Sequence, residues 1–162
     1  MSQVAFGSPP RTPVVEQATE PIRLEFEVAC APDHAFRTWA ERTSLWWPAS
    51  HSVSTAAGLA VVFEPFVGGR IFERTGSGEE HDWGRIVAWE PPGRLVYEWH
   101  LRVDRADATE VEIRFDPSAG GTRVRIEHRG WERLGAAGAE RRQGNFAGWG
   151  SLLPHYIEFV TA

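Results

Sequence analysis

The sequence predicts one α+β domain in which a curved antiparallel sheet wraps a long C-terminal helix and leaves an apolar cavity between the two. Three observations carry this reading. Segments with an apolar residue at every second position follow one another, separated by hairpin-length turns, which implies antiparallel neighbours. Near the C-terminus Phe146, Trp149, Leu153, Tyr156 and Val160 recur at spacings of three and four, the stripe of an amphipathic helix. The chain has 162 residues, the length of one domain. A chain of that size buries roughly 70% of its unfolded surface, enough for a core and a pocket.

The elements follow in order. Residues 1–20 contain Pro9, Pro10 and Pro13 with little periodicity and read as a disordered or loosely docked tail, so the domain spans 21–162. In 21–29, Ile22, Leu24, Phe26 and Val28 share one face and Arg23, Glu25 and Glu27 the other, a half-buried strand. Pro32 and Asp33 open a helix whose apolar stripe is Phe36, Trp39 and Ala40. Thr43 or Ser44 caps a second short helix through Leu45, Trp46 and Trp47, which Pro48 ends. Six strands come next, at 61–66, 69–74, 81–89, 94–102, 109–115 and 122–130, with Gly- and Pro-rich turns between most of them.

In the last three strands Leu95, Tyr97, Trp99 and Leu101 share a face, as do Val111, Ile113 and Phe115, and Val124, Ile126 and His128. Charged residues fill the opposite faces, so one side of the sheet is wet and the other covered. For 61–66 and 81–89 the inward face is ambiguous. The cover is the helix read at 134–160, weakened by Gly144, Gly148 and Gly150. Pro154 sits mid-helix, cannot donate to the carbonyl of Gly150, and predicts a kink.

Composition removes several function classes. The net charge is −5 and no basic run exceeds Arg141-Arg142, which argues against a nucleic-acid partner. All seventeen cations are arginine. Without lysine there is no Schiff-base chemistry of the pyridoxal or aldolase type and no Walker lysine. The lone Cys30 forms no intrachain disulfide and no cysteine metal knuckle, and fits a reducing compartment. No signal segment is read, and no apolar stretch approaches the ~20 residues that span a bilayer. The cytoplasm is the expected location.

A further set of motifs runs along the chain: Trp46-Trp47-Pro48, Phe63-Glu64-Pro65, Gly68-Gly69-Arg70, Trp83-Gly84-Arg85-Ile86 and Trp89-Glu90-Pro91-Pro92-Gly93-Arg94-Leu95. Gly121-Thr122-Arg123-Val124, His128-Arg129-Gly130-Trp131 and Gly148-Trp149 complete it. In this order and spacing the chain resembles the START-like helix-grip superfamily. Within it, the chain is similar to the family of homologues of the heat-shock-protein-90 ATPase activator, over about 22–160. The resemblance implies the fold and a pocket, but no single reaction, since such relatives include ligand carriers, lipid-transfer domains, polyketide cyclases and chaperone cofactors.

Eight tryptophans and nine phenylalanines are a heavy aromatic load. Core filling is the bland account of any one ring; a pocket walled by flat rings is the functional one. The best lining candidates are Tyr97, Trp99 and Phe115 on the sheet and Trp149, Leu153 and Tyr156 on the helix, with Trp47, Phe63, Phe72 and Trp83 as further candidates. His128 faces inward by alternation, either as a core histidine satisfied by one partner or as a polar handle and acid/base group. Glu64 and Glu73 flank the Gly68-Gly69 turn with Arg70 between them, and are either an approaching pair that shifts each other's pKa or an Arg70-screened surface pair.

The remaining groups are bland. No histidine has metal-ligand spacing, and His81-Asp82 after Glu79-Glu80 reads as a solvated hairpin. Cys30 reads as an inert thiol. Gly76-Ser77-Gly78 lacks the third glycine of a dinucleotide fingerprint. No metal, no cofactor and no complete catalytic set are expected. The leading expectation is a binder of a small hydrophobic or aromatic ligand. A polyketide cyclase or aromatase comes second. A chaperone cofactor comes last, because the chain lacks the extra N-terminal domain of the full-length activators it resembles. A second copy of the chain stays open as a partner.

Overall fold

The computed structural model describes residues 18–162; most of the segment read as a tail lies outside the described residues. Seven strands form one antiparallel sheet: β1 (Ile22–Val28), β2 (Ala60–Phe63), β3 (Arg70–Arg74), β4 (Glu80–Glu90), β5 (Arg94–Trp99), β6 (Thr109–Ser118) and β7 (Gly121–Arg129). Their spatial order is β1-β7-β6-β5-β4-β3-β2. The long connection from β1 to β2 carries α1 (Pro32–Ala40) and two short 3₁₀ turns, Thr43–Leu45 and Ala49–His51. After β7 comes a 3₁₀ segment, Trp131–Ala137, and then α2 (Gly138–Val160) lies along the concave face.

The clean alternations set the register. Ile22 pairs with His128, Leu24 with Ile126 and Phe26 with Val124, so the apolar face of β1 continues that of β7. On the other face arginines and carboxylates interleave: Arg129 meets Glu110, Glu112 and Glu127, and Arg94 meets Glu90 and Glu112. The sheet is therefore covered on one side and wet on the other.

β4 explains why its inward face is unreadable from alternation. Against β3, Ile71 pairs with Gly84 and Phe72 with Asp82, which leaves Trp83 as an extra residue. Against β5, Ile86 pairs with Tyr97 and Ala88 with Val96, which leaves Val87 extra. Each bulge resets a period of two. The first turns Trp83 fully inward; the second leaves Val87 42% exposed. The space between these strands is tight at Gly84, where a Cβ would run into the carbonyl oxygen of Glu98.

Several boundaries differ from the sequence expectation. β2 stops at Phe63 rather than residue 66, because Pro65 has no N–H to give to the ladder and Gly68 turns the chain at positive φ. In β2 the buried residues are Val61 and Phe63, which settles its inward face. β5 ends at Trp99, and Leu101 leaves the strand in a turn closed by Val103 N–H donating to His100 O. β6 runs on to Ser118; Pro117 is tolerated there because β5 has already ended its pairing at Arg114.

The last helix begins at Gly138, not 134, because Gly135 at φ 59° interrupts the helical backbone. α2 runs as one helix through the exposed Pro154. Its buried residues include Trp149, Leu152, Leu153, Tyr156 and Val160, while Phe146, expected on that stripe, is 53% exposed. The hydroxyl of Tyr156 donates to Ala35 O at 2.8 Å, and His34 Nε2 meets Val160 O at 3.0 Å. These two bonds fix α1 against α2.

Gly84→Ala is expected to destabilise the fold by about 3 kcal/mol, the upper end for overpacking, since the clash is with backbone. Gly150→Ala, whose added methyl group would meet nothing within 4 Å, is expected to stabilise α2 by about 0.5–1 kcal/mol. Denaturant midpoints of the two variants check both signs.

Candidate functional site

Rings from five elements occupy the space between sheet and helix. Trp39 of α1 stacks on Trp149 of α2 at 6.0 Å and meets Trp46 and Tyr156 edge-on or tilted at 4.9 Å. Trp46 continues to Trp47, which touches Trp83 at 5.0 Å and Trp99 at 5.8 Å. Tyr97 closes the run between Trp99 and Phe63. Such offset and edge-on pairs are the preferred aromatic geometries. The middle of the expected cavity is therefore filled by the chain's own side chains.

What stays open is a cleft of about 330 Å³ at one end of this column. The turn after α1 supplies Trp47, Ser50 and His51; the end of β5 and its turn supply Trp99, Leu101 and Arg102; α2 supplies Gly144, Asn145, Gly148, Trp149 and Leu152. The two glycines make the room: a Cβ on either would meet nothing within 4 Å. Apolar walls with a few converging polar groups are the usual make-up of a small-molecule site.

Of the residues singled out from sequence, Trp47, Trp99 and Trp149 line this cleft. Phe63, Phe72, Trp83, Tyr97, Phe115, Leu153 and Tyr156 lie buried away from the cleft wall. Burial pushes the hydroxyls of Tyr97 and Tyr156 up, so both stay protonated. Sequence reasoning misses His51, Leu101, Arg102, Asn145 and Leu152. Alternation groups Leu101 with Trp99, which is the signal nearest to it. The others come from a turn, a loop and a helix flank, which no periodicity brings together.

His128 is a core histidine with two partners. The indole N–H of Trp149 donates to its Nδ1 at 3.0 Å, so Nδ1 carries the lone pair and Nε2–H donates to Thr109 Oγ1 at 2.7 Å. Burial, with a smaller contribution from Arg141, pushes its pKa down to about 3. The neutral ring thus holds a wall of the cleft in place from behind. Trp131 covers its other side, 4.3 Å away, and bonds its carbonyl.

The two glutamates do not approach as a pair. β2 and β3 do pair, but in a register that sets Glu73 opposite Val61. Glu64 reaches back to its own turn, where Oε1 accepts from Arg70 N–H at 2.6 Å. Glu73 is fully buried and accepts from Val53 N–H, from Ser54 N–H and hydroxyl, and from the Trp83 indole. Burial pushes its pKa up, the bonds from Ser54, Trp83 and Val53 pull it down, and the net is below the ordinary carboxylate value. Arg70 binds Glu80 and Asp82 instead and lies 4.1 Å over Phe72.

His81 meets Glu79 at 3.0 Å in the exposed hairpin. Among the described residues no group of three or more His, Cys, Asp or Glu side chains is placed to hold a metal ion. Cys30 is half-buried, and burial raises its thiol pKa, the opposite of activation.

A seven-stranded antiparallel sheet closed by one long helix, with a cleft at their junction, defines a START-like helix-grip protein. The sequence pattern of the family described as "Activator of Hsp90 ATPase homolog 1-like protein" matches residues 29–158, and the chain belongs to that family. Among solved structures it is similar to CalC from Micromonospora echinospora, described as a self-sacrificing resistance protein, with 29% identity and a TM-score of 0.69 over 88% of this chain and 95% of that one. It is also similar to Txn09, described as an anthrahydroquino-γ-pyrone synthase, with 39% identity and a TM-score of 0.50 over 68% of this chain and 76% of that one. The AHSA1 protein from Silicibacter pomeroyi shares the fold at 23% identity, with a TM-score of 0.59 over 86% and 96%. Among curated proteins, none matches the chain. No helix among the described residues is long and apolar enough to cross a membrane.

The pKa values of His128 and Glu73 give stability a stepped acid dependence. Folded His128 stays neutral down to about pH 3, while the unfolded imidazole takes up its proton near 6.5. Stability is thus complete above pH 6.5 and falls below it by about 1.4 kcal/mol per pH unit, or about 2 kcal/mol by pH 5. His128→Gln is expected to flatten that segment. The Glu73 contribution is present above its unfolded value of 4.5 and is lost as pH falls through the lower folded value. Urea unfolding from pH 7 to pH 3 reads both; a wild-type profile flat from 7 to 5 refutes the assignment for His128.

Proposed function

We propose that this chain binds a flat, largely apolar aromatic molecule in the cleft between Trp47, Trp99 and Trp149. The observation that carries the reading is the convergence of these three indoles, from a turn, a strand end and a helix, on one open space whose helical wall is cleared by two glycines. Flat ring faces stack favourably on flat ligands, and Leu101 and Leu152 supply apolar area beside them. His51, Arg102 and Asn145 at the rim supply the few polar contacts that fix orientation. The likeness to a γ-pyrone synthase acting in the anthrahydroquinone series points to a polyketide-like ring system as the ligand class.

A second reading, a ring-closing enzyme of the cyclase type, is favoured by that same 39% identity. It requires a proton-moving group at the cleft. Glu64, Glu73 and His128 already spend their polar atoms on internal bonds.

Titration with 1,8-dihydroxyanthraquinone is expected to quench tryptophan emission and to raise the melting temperature, equivalent to about 2.7 kcal/mol at a hundredfold excess over Kd. Trp99→Ala is expected to weaken binding about tenfold. Gly148→Leu is expected to abolish binding while leaving the helix at least as stable, since Leu exceeds Gly in helix propensity and its Cβ meets open space. Unchanged affinity in Gly148→Leu would place any ligand elsewhere and sink the proposal.

A further inference from the structure

At the mouth of the cleft, His51 sits between two serines and is held from three sides. Its Nε2 meets Ser151 Oγ of α2 at 2.9 Å and its Nδ1 meets Ser50 Oγ at 3.2 Å. Its backbone carbonyl accepts the indole N–H of Trp47 at 2.9 Å. The Arg102 guanidinium donates to the carbonyls of Ser50 and Ser52, which bracket His51. Arg102 itself holds φ 64°, a left-handed conformation uncommon for a residue with a side chain. Strain of this kind is retained where the surrounding structure fixes a functional geometry. The turn from Ala49 to His51 is thus clamped by one cleft wall and by the arginine at the rim.

The bonds around the ring set its tautomer. The Ser151 hydroxyl has helix carbonyls for its own proton, Gly148 O at 3.2 Å and Ala147 O at 3.4 Å. Ser151 Oγ therefore accepts from Nε2–H, and Nδ1 carries the lone pair. That nitrogen meets only the hydroxyl of the exposed Ser50 at 3.2 Å, a partner free to turn to solvent, unlike the buried partners of His128 and Glu73, and both Ser50 and His51 line the cleft. A base whose second nitrogen is pinned by a neighbouring group is the arrangement that orients a general base in proton-transfer sites.

We propose that His51 is the general base of the cleft, with Nδ1 taking a proton from an acidic C–H or phenolic O–H of the bound aromatic molecule and Ser151 acting as the positioning residue. The assignment rests on the cleft being the ligand site. The ring is set up to act as a base at neutral pH: burial, then His155 and Arg102, lower its pKa from 6.5, against one backbone bond at Gly148 that raises it. The charged and titratable groups that act on it are His155 on α2 and Arg102 after β5, and Arg102 lines the same cleft.

The test uses 5-nitrobenzisoxazole, a flat aromatic whose base-catalysed opening is self-contained. The base removes the C3 proton, the electron pair of that bond forms the nitrile, the ring N–O bond breaks, and the oxygen leaves as a coloured phenolate. The imidazolium then returns its proton to water. Wild-type protein is expected to turn the probe over saturably, with an acid limb below pH 6.5, since activity is present above the folded pKa and lost as pH falls through it. His51→Ala is expected to lower kcat about 100-fold at nearly constant KM, the low end of what a positioned base contributes, with part of the loss restored by imidazole in the buffer. Ser151→Ala is expected to lower kcat several-fold without changing KM. Equal turnover by wild type and His51→Ala, with the probe still quenching tryptophan emission in both, overturns the base assignment and leaves the cleft reading standing. A probe that neither saturates nor quenches the wild type overturns both.

Discussion

Each buried indole brings a large apolar area into the core together with one N–H donor that is costly to leave without an acceptor. Five tryptophans meet that demand across the structure. Trp46 bonds Thr38 O, Trp47 bonds His51 O, Trp83 bonds Glu73, Trp131 bonds His128 O and Trp149 bonds His128 Nδ1. Every one of these bonds fixes the orientation of a ring that its neighbours stack against. Turning any of these five rings would break its hydrogen bond, whereas Trp39, buried among them, keeps its indole N–H without a partner and is held by packing alone.

The same bonds explain why the inward polar groups are structural. A buried carboxylate survives when enough donors reach it, and Glu73 has four of them. In return it ties the loop at Val53 and Ser54 to the bulged Trp83, and through Trp83 to the face of Trp47 and Trp99. His128 ties β7 to α2 through Trp149 and to β6 through Thr109. Both residues hold rings that bear on the cleft without lining it themselves.

The division of labour across the cleft follows from this. Its inner end is formed by the hydrogen-bonded column of rings. Its rim is polar, built from the exposed Ser50 and Arg102 and the half-buried His51 and Asn145. Membership of the activator-homologue family supplies the scaffold, and a scaffold by itself does not specify a function.

The sequence by itself determined the architecture. Alternation in β1, β5, β6 and β7 and the stripe at Trp149, Leu153, Tyr156 and Val160 are local signals, since one buried face imposes its period on the residues that form it. Three rings singled out from sequence line the cleft: Trp99 by strand alternation, Trp149 by the helix stripe and Trp47 through the Trp46-Trp47-Pro48 motif. The local signal stopped where the period broke: at Trp83 and Val87, where bulges shift the pairing, and at Phe146, which shares the stripe's spacing but is exposed. Only the tertiary structure decided that Glu64 and Glu73 part company, that His128 is spoken for, and that His51 meets Ser151 from a hundred residues away. Those outcomes depend on register, on a strained loop and on which rings fill the gap first, and such long-range packing leaves no periodic trace in the chain.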